Sequence, residues 1–275
     1  MTENDIRTAI EANVAAALAE DMGAGDLTAQ LIPADRTAHA TLITRENAIL
    51  CGTPWFEACF RALDPAIQMR WLAHEGDAIA AGATLCEIEG NARAILSAER
   101  PALNFLQTLS ATATVTRHYV DAIAGTKAVI MDTRKTLPGL RVAQKYAVKI
   151  GGGANQRIGL FDGILIKENH IAAAGGIPQV MAAAKKLAPP GVRIQIEVES
   201  LDELQQALEA GATLVLLDNF TPAQMREAVR ITGGRALLEA SGGITLEELH
   251  TIAETGVDRI SIGGLTKHVA AIDLS

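Results

Sequence analysis

Between Arg134 and Lys167 the chain carries seven basic residues, Arg134, Lys135, Arg141, Lys145, Lys149, Arg157 and Lys167, and one acidic residue, Asp162, a local balance of +6. The chain as a whole has 275 residues, with 24 Lys and Arg against 32 Asp and Glu, for a net charge of −8. A basic island inside an acidic chain suits a small, multiply anionic ligand held by charge-assisted hydrogen bonds. Gly151, Gly152 and Gly153 lie within the island, and a glycine backbone approaches a ligand closely. Further along, Glu199 and Asp218 are carboxylates able to hold ribose hydroxyls or a divalent cation. Ser241-Gly242-Gly243 and Gly263-Gly264 each precede helical sequence and offer backbone N–H groups to a phosphate. These residues together predict a site with an anionic aromatic or carboxylate substrate on one side and a phosphorylated sugar on the other.

The elements that must position them alternate. Short apolar runs at Ala128–Met131, Gly163–Ile166, Arg193–Val198, Thr213–Leu217, Ala236–Leu238 and Arg259–Ile262 are separated by helical stretches such as Leu201–Ala210 and Pro222–Ile231. Strands buried on both faces and joined by crossover helices predict a parallel α/β sheet or barrel. In such a barrel, chemistry gathers at the C-terminal strand ends. Arg134, Lys135, Lys167, Glu199, Asp218, Ser241 and the glycines follow those runs. His170 follows Lys167 and reads as a packed or capping residue.

The first hundred residues have a different texture. A four-residue spacing of Ile6, Ile10, Val14 and Leu18 predicts a helix over 5–20. Strand-like sequence over 39–50, a helix from Pro54 to Leu63 and short strands over 69–93 follow. The EGDAIAAG…LCEIEG phrase resembles a hammerhead turn but lacks a lysine at its tip. Pro101 is expected to open a long helix running to Ala124. Domains are expected over 1–113 and 114–265, with the tail 266–275 folding back on the first.

Composition excludes several classes. Hydrophobic residues make up 49% and charged residues 20%, which argues against wholesale disorder. The sequence pI near 5.3 argues against a nucleic-acid binder. No apolar run has a membrane-spanning length, and the acidic N-terminus reads as neither a signal nor a transit peptide. Cys51, Cys59 and Cys86 are an odd set without metal spacing, which predicts reduced, buried thiols and a cytoplasmic location. An alternative reading of Lys167, as the Schiff-base lysine of a phosphosugar lyase, leaves the arginine cluster without a role.

The phrases ERPALNFLQTLS (Glu99–Ser110), DTRKTLPGLR (Asp132–Arg141), KYAVKIGGGANQR (Lys145–Arg157), DGILIKENHI (Asp162–Ile171), IEVES (Ile196–Ser200), LLDNF (Leu216–Phe220), EASGGIT (Glu239–Thr245) and GVDRISIGGLTKH (Gly256–His268) resemble quinolinate phosphoribosyltransferase, in order over nearly the whole chain. The resemblance implies an α/β fold, with an N-terminal α/β sandwich domain and a C-terminal incomplete (β/α) barrel. It implies a homodimer in which one domain caps the partner's barrel. The implied reaction converts quinolinate and phosphoribosyl pyrophosphate to nicotinate mononucleotide, CO2 and pyrophosphate with Mg2+, in NAD biosynthesis. By the same resemblance, Arg100 would reach the neighbouring subunit's site. Arg134, Arg157 and Lys167 would clamp the carboxylates, with Thr133, Lys135 and Gln156 beside them. Glu199 and Asp218 would face ribose and Mg2+–pyrophosphate, an assignment that stays open between Glu199 and Glu197. Ser241, Gly242, Gly243, Ile262, Gly263 and Gly264 would surround the 5′-phosphate. Lys135, Glu199 and Asp218 are the catalytic candidates, and the metal would be held mainly through pyrophosphate. The family commonly has His at Gln156 and Ala at Gly264.

Overall fold

A computed structural model describes all residues, Met1–Ser275, and its contacts divide the chain into two units. The first comprises Met1–Arg117, Thr136–Gly152 and Leu265–Ser275; the second comprises His118–Lys135 and Gly153–Gly264.

The first unit begins with helix α1, Glu3–Met22, whose start is fixed by a capping box between Thr2 and Asp5. Strand β1 (Thr37–Ile43) is followed by β2 (Ala48–Ile49), helix α2 (Thr53–Leu63), β3 (Gln68–Trp71), β4 (Ala78–Ile79) and β5 (Thr84–Asn91). β5 is the centre of an antiparallel sheet in the order β1-β5-β3, and β2 pairs separately with β4. Helix α2 starts after Gly52, whose φ of 106° is left-handed. A Cβ there would also press on the Leu109 side chain at 3.1 Å. The helix buries Trp55, Phe56, Cys59 and Phe60 on one stripe.

Helix α3 runs from Ala92 to Ala122, with Pro101 inside it rather than at its start. The sequence ARAILSAER supplies good helix formers upstream, and their summed preference outweighs the one backbone bond that Pro101 removes. Helix α4, Arg141–Ile150, also belongs to the first unit, although the sequence placed it in the second domain. Its Gln144 is buried, accepts from Leu137 N–H at 2.8 Å and donates to Thr266 O at 3.0 Å. In the same unit Ile43 and Ser275 exchange backbone hydrogen bonds of 2.7 and 3.0 Å.

The second unit is a parallel sheet of six strands: β6 (Val129–Met131), β7 (Gly163–Ile166), β8 (Arg193–Val198), β9 (Leu214–Asp218), β10 (Leu237–Ser241) and β11 (Arg259–Ser261). Their order is β6-β11-β10-β9-β8-β7. Consecutive strands are neighbours and the last pairs with the first, as in a barrel, but β6 and β7 do not pair, so the ring is incomplete. Helices α5 (Glu168–Ala174), α6 (Ile177–Leu187), α7 (Leu201–Glu209), α8 (Pro222–Thr232) and α9 (Leu246–Ala253) connect the strands, and the short α10 (Gly264–Lys267) follows β11. No helix is long and apolar enough to cross a membrane.

Candidate active site

Alternation along a strand decides which side chains face the sheet interior. On β8 these are Gln195 and Glu197, and the register sets Glu197 beside Leu216 of β9 and Glu239 of β10 beside the same leucine. Above this layer a cavity of about 340 Å³ opens at the C-terminal strand ends. Its lining includes Thr133, Arg134 and Lys135 after β6, Lys167 after β7, and Gln156 and Arg157 from the loop before β7. Glu197, Glu239, Ser241 and Ser261 complete its polar wall.

The cavity is strongly cationic. Arg157 donates to Gly163 O at 2.9 Å. Burial, and then the like charge of Arg134, hold the Arg157 guanidinium below its ordinary pKa. Asp162 fixes the loop by accepting from Ile158 and Gly159 N–H groups, both at 2.8 Å. Lys167 reaches Glu197 with an Nζ–Oε2 distance of 3.0 Å, and Glu197 is nine-tenths buried. His170 accepts the Lys167 N–H on Nδ1 at 3.0 Å, so its ring caps α5. Lys135 passes over the end of β11: a Cβ on Gly263 would stand 2.9 Å from Lys135 Cδ and 3.7 Å from Thr133 Oγ1. Gly263 leaves the room that Lys135 occupies.

Gln156 is tied down from two sides. Its N–H donates to Asp132 at 2.7 Å, and Asn155 Nδ2 donates to the other oxygen of that fully buried carboxylate at 2.7 Å. Its side-chain amide donates to Glu239 and to Gln195 Oε1, the latter at 3.3 Å. Gln195 Nε2 donates in turn to Glu239 at 3.1 Å. Glu239 is fully buried, and desolvation pushes its pKa up, partly opposed by the bonds from Gln156, Gln195 and Ser261.

Ser241 also lines a neighbouring cavity of about 550 Å³ with Asn219, Gly242, Gly243 and the first turns of α8 and α9. Asn219 is left-handed (φ 55°), and Gly242 (φ 139°) lies so close that a Cβ would meet Asn219 Oδ1 at 2.8 Å. Glu247 and Glu248 share this wall. Asp218, half-buried, accepts from Asn219 Nδ2 at 2.9 Å.

Not every expected residue converges here. Glu199 lies beyond the end of β8, exposed, with its N–H bonded to Glu203 Oε2 at 2.7 Å, and Glu197 is the carboxylate in the cavity wall. Ile262 is buried, with its N–H on Met131 O, and Gly264 begins α10. Arg100 is exposed on α3 in the first unit. Arg141, Lys145 and Lys149 lie on α4 in that same unit, with Lys145 fully buried. A Cβ on Gly151 would come 2.5 Å from Ala113 O, so this glycine serves close packing against α3. Conversely, Asp132, Gln195, Glu239 and Ser261 were not among the candidate site residues. Polar residues at every second position of β8 and β10 were the signal that would have found the middle two.

Comparisons place this geometry in a family. Residues 112–275 match the model of the quinolinate phosphoribosyl transferase C-terminal domain, and residues 26–110 match that of its N-terminal domain. A probable nicotinate-nucleotide pyrophosphorylase [carboxylating] of Bacillus subtilis is 42% identical over 93% of this chain and 89% of its own length. A mitochondrial quinolinate phosphoribosyltransferase [decarboxylating] of Nicotiana glauca is 38% identical over 94% of this chain and 79% of its own. The solved structure of the nicotinate-nucleotide pyrophosphorylase from Francisella tularensis superposes with a TM-score of 0.94, at 49% identity, over all of this chain and 96% of that one. An antiparallel-sheet N-terminal unit and a parallel α/β C-terminal unit are thus the family's architecture, and the chain belongs to the quinolinate phosphoribosyltransferase family.

Proposed function

We propose that the cationic cavity at the C-terminal strand ends binds the two carboxylates of quinolinate while the Ser241-Gly242-Gly243 turn holds the sugar phosphate. The activity is that of a quinolinate phosphoribosyltransferase (decarboxylating), a phosphoribosyltransferase of NAD biosynthesis. The observation that carries the site reading is the convergence of Arg134, Lys135, Arg157 and Lys167 on one cavity of about 340 Å³, whose lining also includes the buried carboxylates Glu197 and Glu239. A small dianion matches four cations, and a rigid, flat dicarboxylate suits the forked geometry of two guanidiniums.

Chemistry follows from where charge develops. Departure of pyrophosphate leaves oxocarbenium character on the sugar carbon, and the quinolinate nitrogen supplies the electron pair for the new C–N bond. Glu197, with Asp218 at the next strand end, stabilises positive charge on the ribose, whereas Lys135 stabilises the leaving pyrophosphate. The ring nitrogen is then cationic. The adjacent carboxylate leaves as CO2, its bonding pair staying on the ring carbon until a proton replaces it. Holding the substrate so that this carboxylate leaves the plane of favourable hydrogen bonds is a positioning task for Arg134, Arg157 and Lys167.

No group of three or more His, Cys, Asp or Glu side chains is arranged to hold a metal. Mg2+ would be held chiefly through pyrophosphate oxygens, with Asp218 or Glu197 as a single protein ligand, and would neutralise charge on the leaving group. Arg100, exposed on α3, is assigned to a second subunit's cavity, which makes the functional unit a homodimer. The buried thiols, with Cys59 and Cys86 pushed up to about 12 by burial, fit a reducing, cytoplasmic setting.

The test is an assay with quinolinate, phosphoribosyl pyrophosphate and Mg2+. Nicotinate mononucleotide and CO2 in equal amounts are expected, and neither product at any substrate level refutes the reading. Arg100→Ala and Arg157→Ala chains, each strongly impaired alone, are expected to recover activity on mixing. Absence of recovery refutes the shared site while leaving the reaction standing.

A further inference from the structure

The opposite ends of the same strands form a second basic cavity, of about 570 Å³, at the starts of β8, β9, β10 and β11. Lys185, Arg193 and Arg259 are its charged residues, and no carboxylate lines it. The strand register shows where the arginines point. Arg259 lies directly beside Glu239, and Arg193 precedes Gln195 by two, so both side chains leave their strands on the interior face. A parallel barrel ordinarily fills that layer with branched apolar side chains. Here Leu214 and Leu237 share it with the two arginines, and Leu237 remains 45% exposed. Lys185, from α6, is held at the rim by a 2.8 Å bond to Ala210 O.

Their charges are not consumed internally. Neither Arg193 nor Arg259 forms an ion pair, and Arg259 is the weakest of the influences on Glu239, behind three hydrogen bonds. Lys185 and Arg193 are exposed and Arg259 is half-buried, so three solvated cations line one mouth with no carboxylate among its lining residues to compete for an anion. The apolar part of the lining, Met181, Leu214 and Leu237, has no polar demand to satisfy and matches a flat or apolar moiety. Four strand steps separate Leu237 from Ser241, about 13 Å at roughly 3.3 Å per residue, so a ligand held here is distinct from one in the catalytic cavity.

We propose that this lower mouth is a second anion site, which takes a small phosphorylated molecule bearing one ring system, of mononucleotide size, with its phosphate on Lys185, Arg193 and Arg259. The inference does not depend on the reaction assigned to the upper mouth.

Calorimetric titration of the full chain with adenosine 5′-monophosphate tests it. Binding is expected to weaken at least tenfold in Lys185→Glu/Arg193→Glu, to persist in Arg157→Ala, and to be at least tenfold weaker for adenosine than for the monophosphate. Arg193→Gln, a milder change, is expected to weaken it several-fold, and kcat on quinolinate is expected to stay unchanged in both lower-mouth variants. No binding to the wild-type chain, affinity indifferent to Lys185 and Arg193, or binding lost in Arg157→Ala each overturns the proposal.

Discussion

The strands and helix α2 of the first unit hide only apolar side chains, among them Trp55, Phe56, Phe60 and Leu85, whereas the parallel sheet of the second unit hides Gln195, Glu197, Glu239 and Ser261 on its strands. Apolar burial stabilises in proportion to area and needs no partners. Polar burial costs free energy unless every group is hydrogen-bonded. The second unit accepts that cost in the layer immediately below its cationic cavity. The difference predicts that changes in the first interior register in stability, and changes in the second register in binding and pH response.

The largest effect is expected from Phe56→Ala. Phe56 packs against Phe60 and Trp71 at ring-centroid distances of 5.0 and 5.4 Å, and its loss leaves a cavity among aromatic side chains. The variant should lose about 3–5 kcal/mol of stability in denaturant titration, with kcat per folded molecule nearly unchanged. A kcat that falls in step with stability would show that the first interior is not merely a support.

Arg157→Ala should do the reverse. It removes a charge-assisted donor from the cavity and one like-charge neighbour from Arg134. The expected cost is about 2–4 kcal/mol of transition-state binding, roughly 30- to 1,000-fold in kcat/KM, with the melting temperature unchanged or raised. A melting temperature that falls by many degrees would break the comparison.

Glu239 allows a finer test through pH. Burial raises its folded-state pKa above the ordinary glutamate value. The folded state therefore binds this proton more tightly than the unfolded chain does. The resulting stability is fully present below the unfolded glutamate pKa and is lost as pH rises through the folded one. Measured against Glu239→Gln, the wild-type chain should thus become relatively less stable as pH rises above the ordinary glutamate pKa of about 4.3. Indifference to pH would mean that its hydrogen bonds fully cancel desolvation.

The same contrast explains what sequence could and could not reveal. Alternating apolar runs and helices announced the parallel sheet because strands buried on both faces have few other readings. Residues following those runs announced the cavity, since Arg134, Lys135, Lys167 and Ser241 all line it. Charge counted along the chain does not follow the division into units, however. Arg141, Lys145 and Lys149 are near in sequence, but they sit on a helix that contacts assign to the other unit. Membership of a unit depends on long-range contacts such as the Gln144 bond to Thr266, which leave no local trace. Glu197 rather than Glu199 lines the cavity because β8 ends at Val198, as the apolar run does, and Glu199 falls in the turn beyond it, where the alternation of faces along the strand no longer applies.

Gln156 sharpens the comparison where the expected change is smallest. Its amide donates to Glu239 and contacts Gln195, so it couples the cavity to the buried layer without carrying charge. Gln156→His places an imidazole against that carboxylate. An adjacent anion favours the imidazolium, which should raise the histidine pKa above about 6.5. The charge then appears on the cavity wall as pH falls, and its stabilisation is present below the unfolded histidine pKa and lost as pH rises through the folded one. The variant's KM for quinolinate should therefore fall several-fold, under about 1.4 kcal/mol, from pH 8 to 6 relative to the wild-type profile, with kcat little changed. A steep loss of kcat at all pH values would instead mean that Gln195 and Glu239 are arranged around the amide itself, making Gln156 part of the buried layer rather than of the substrate wall.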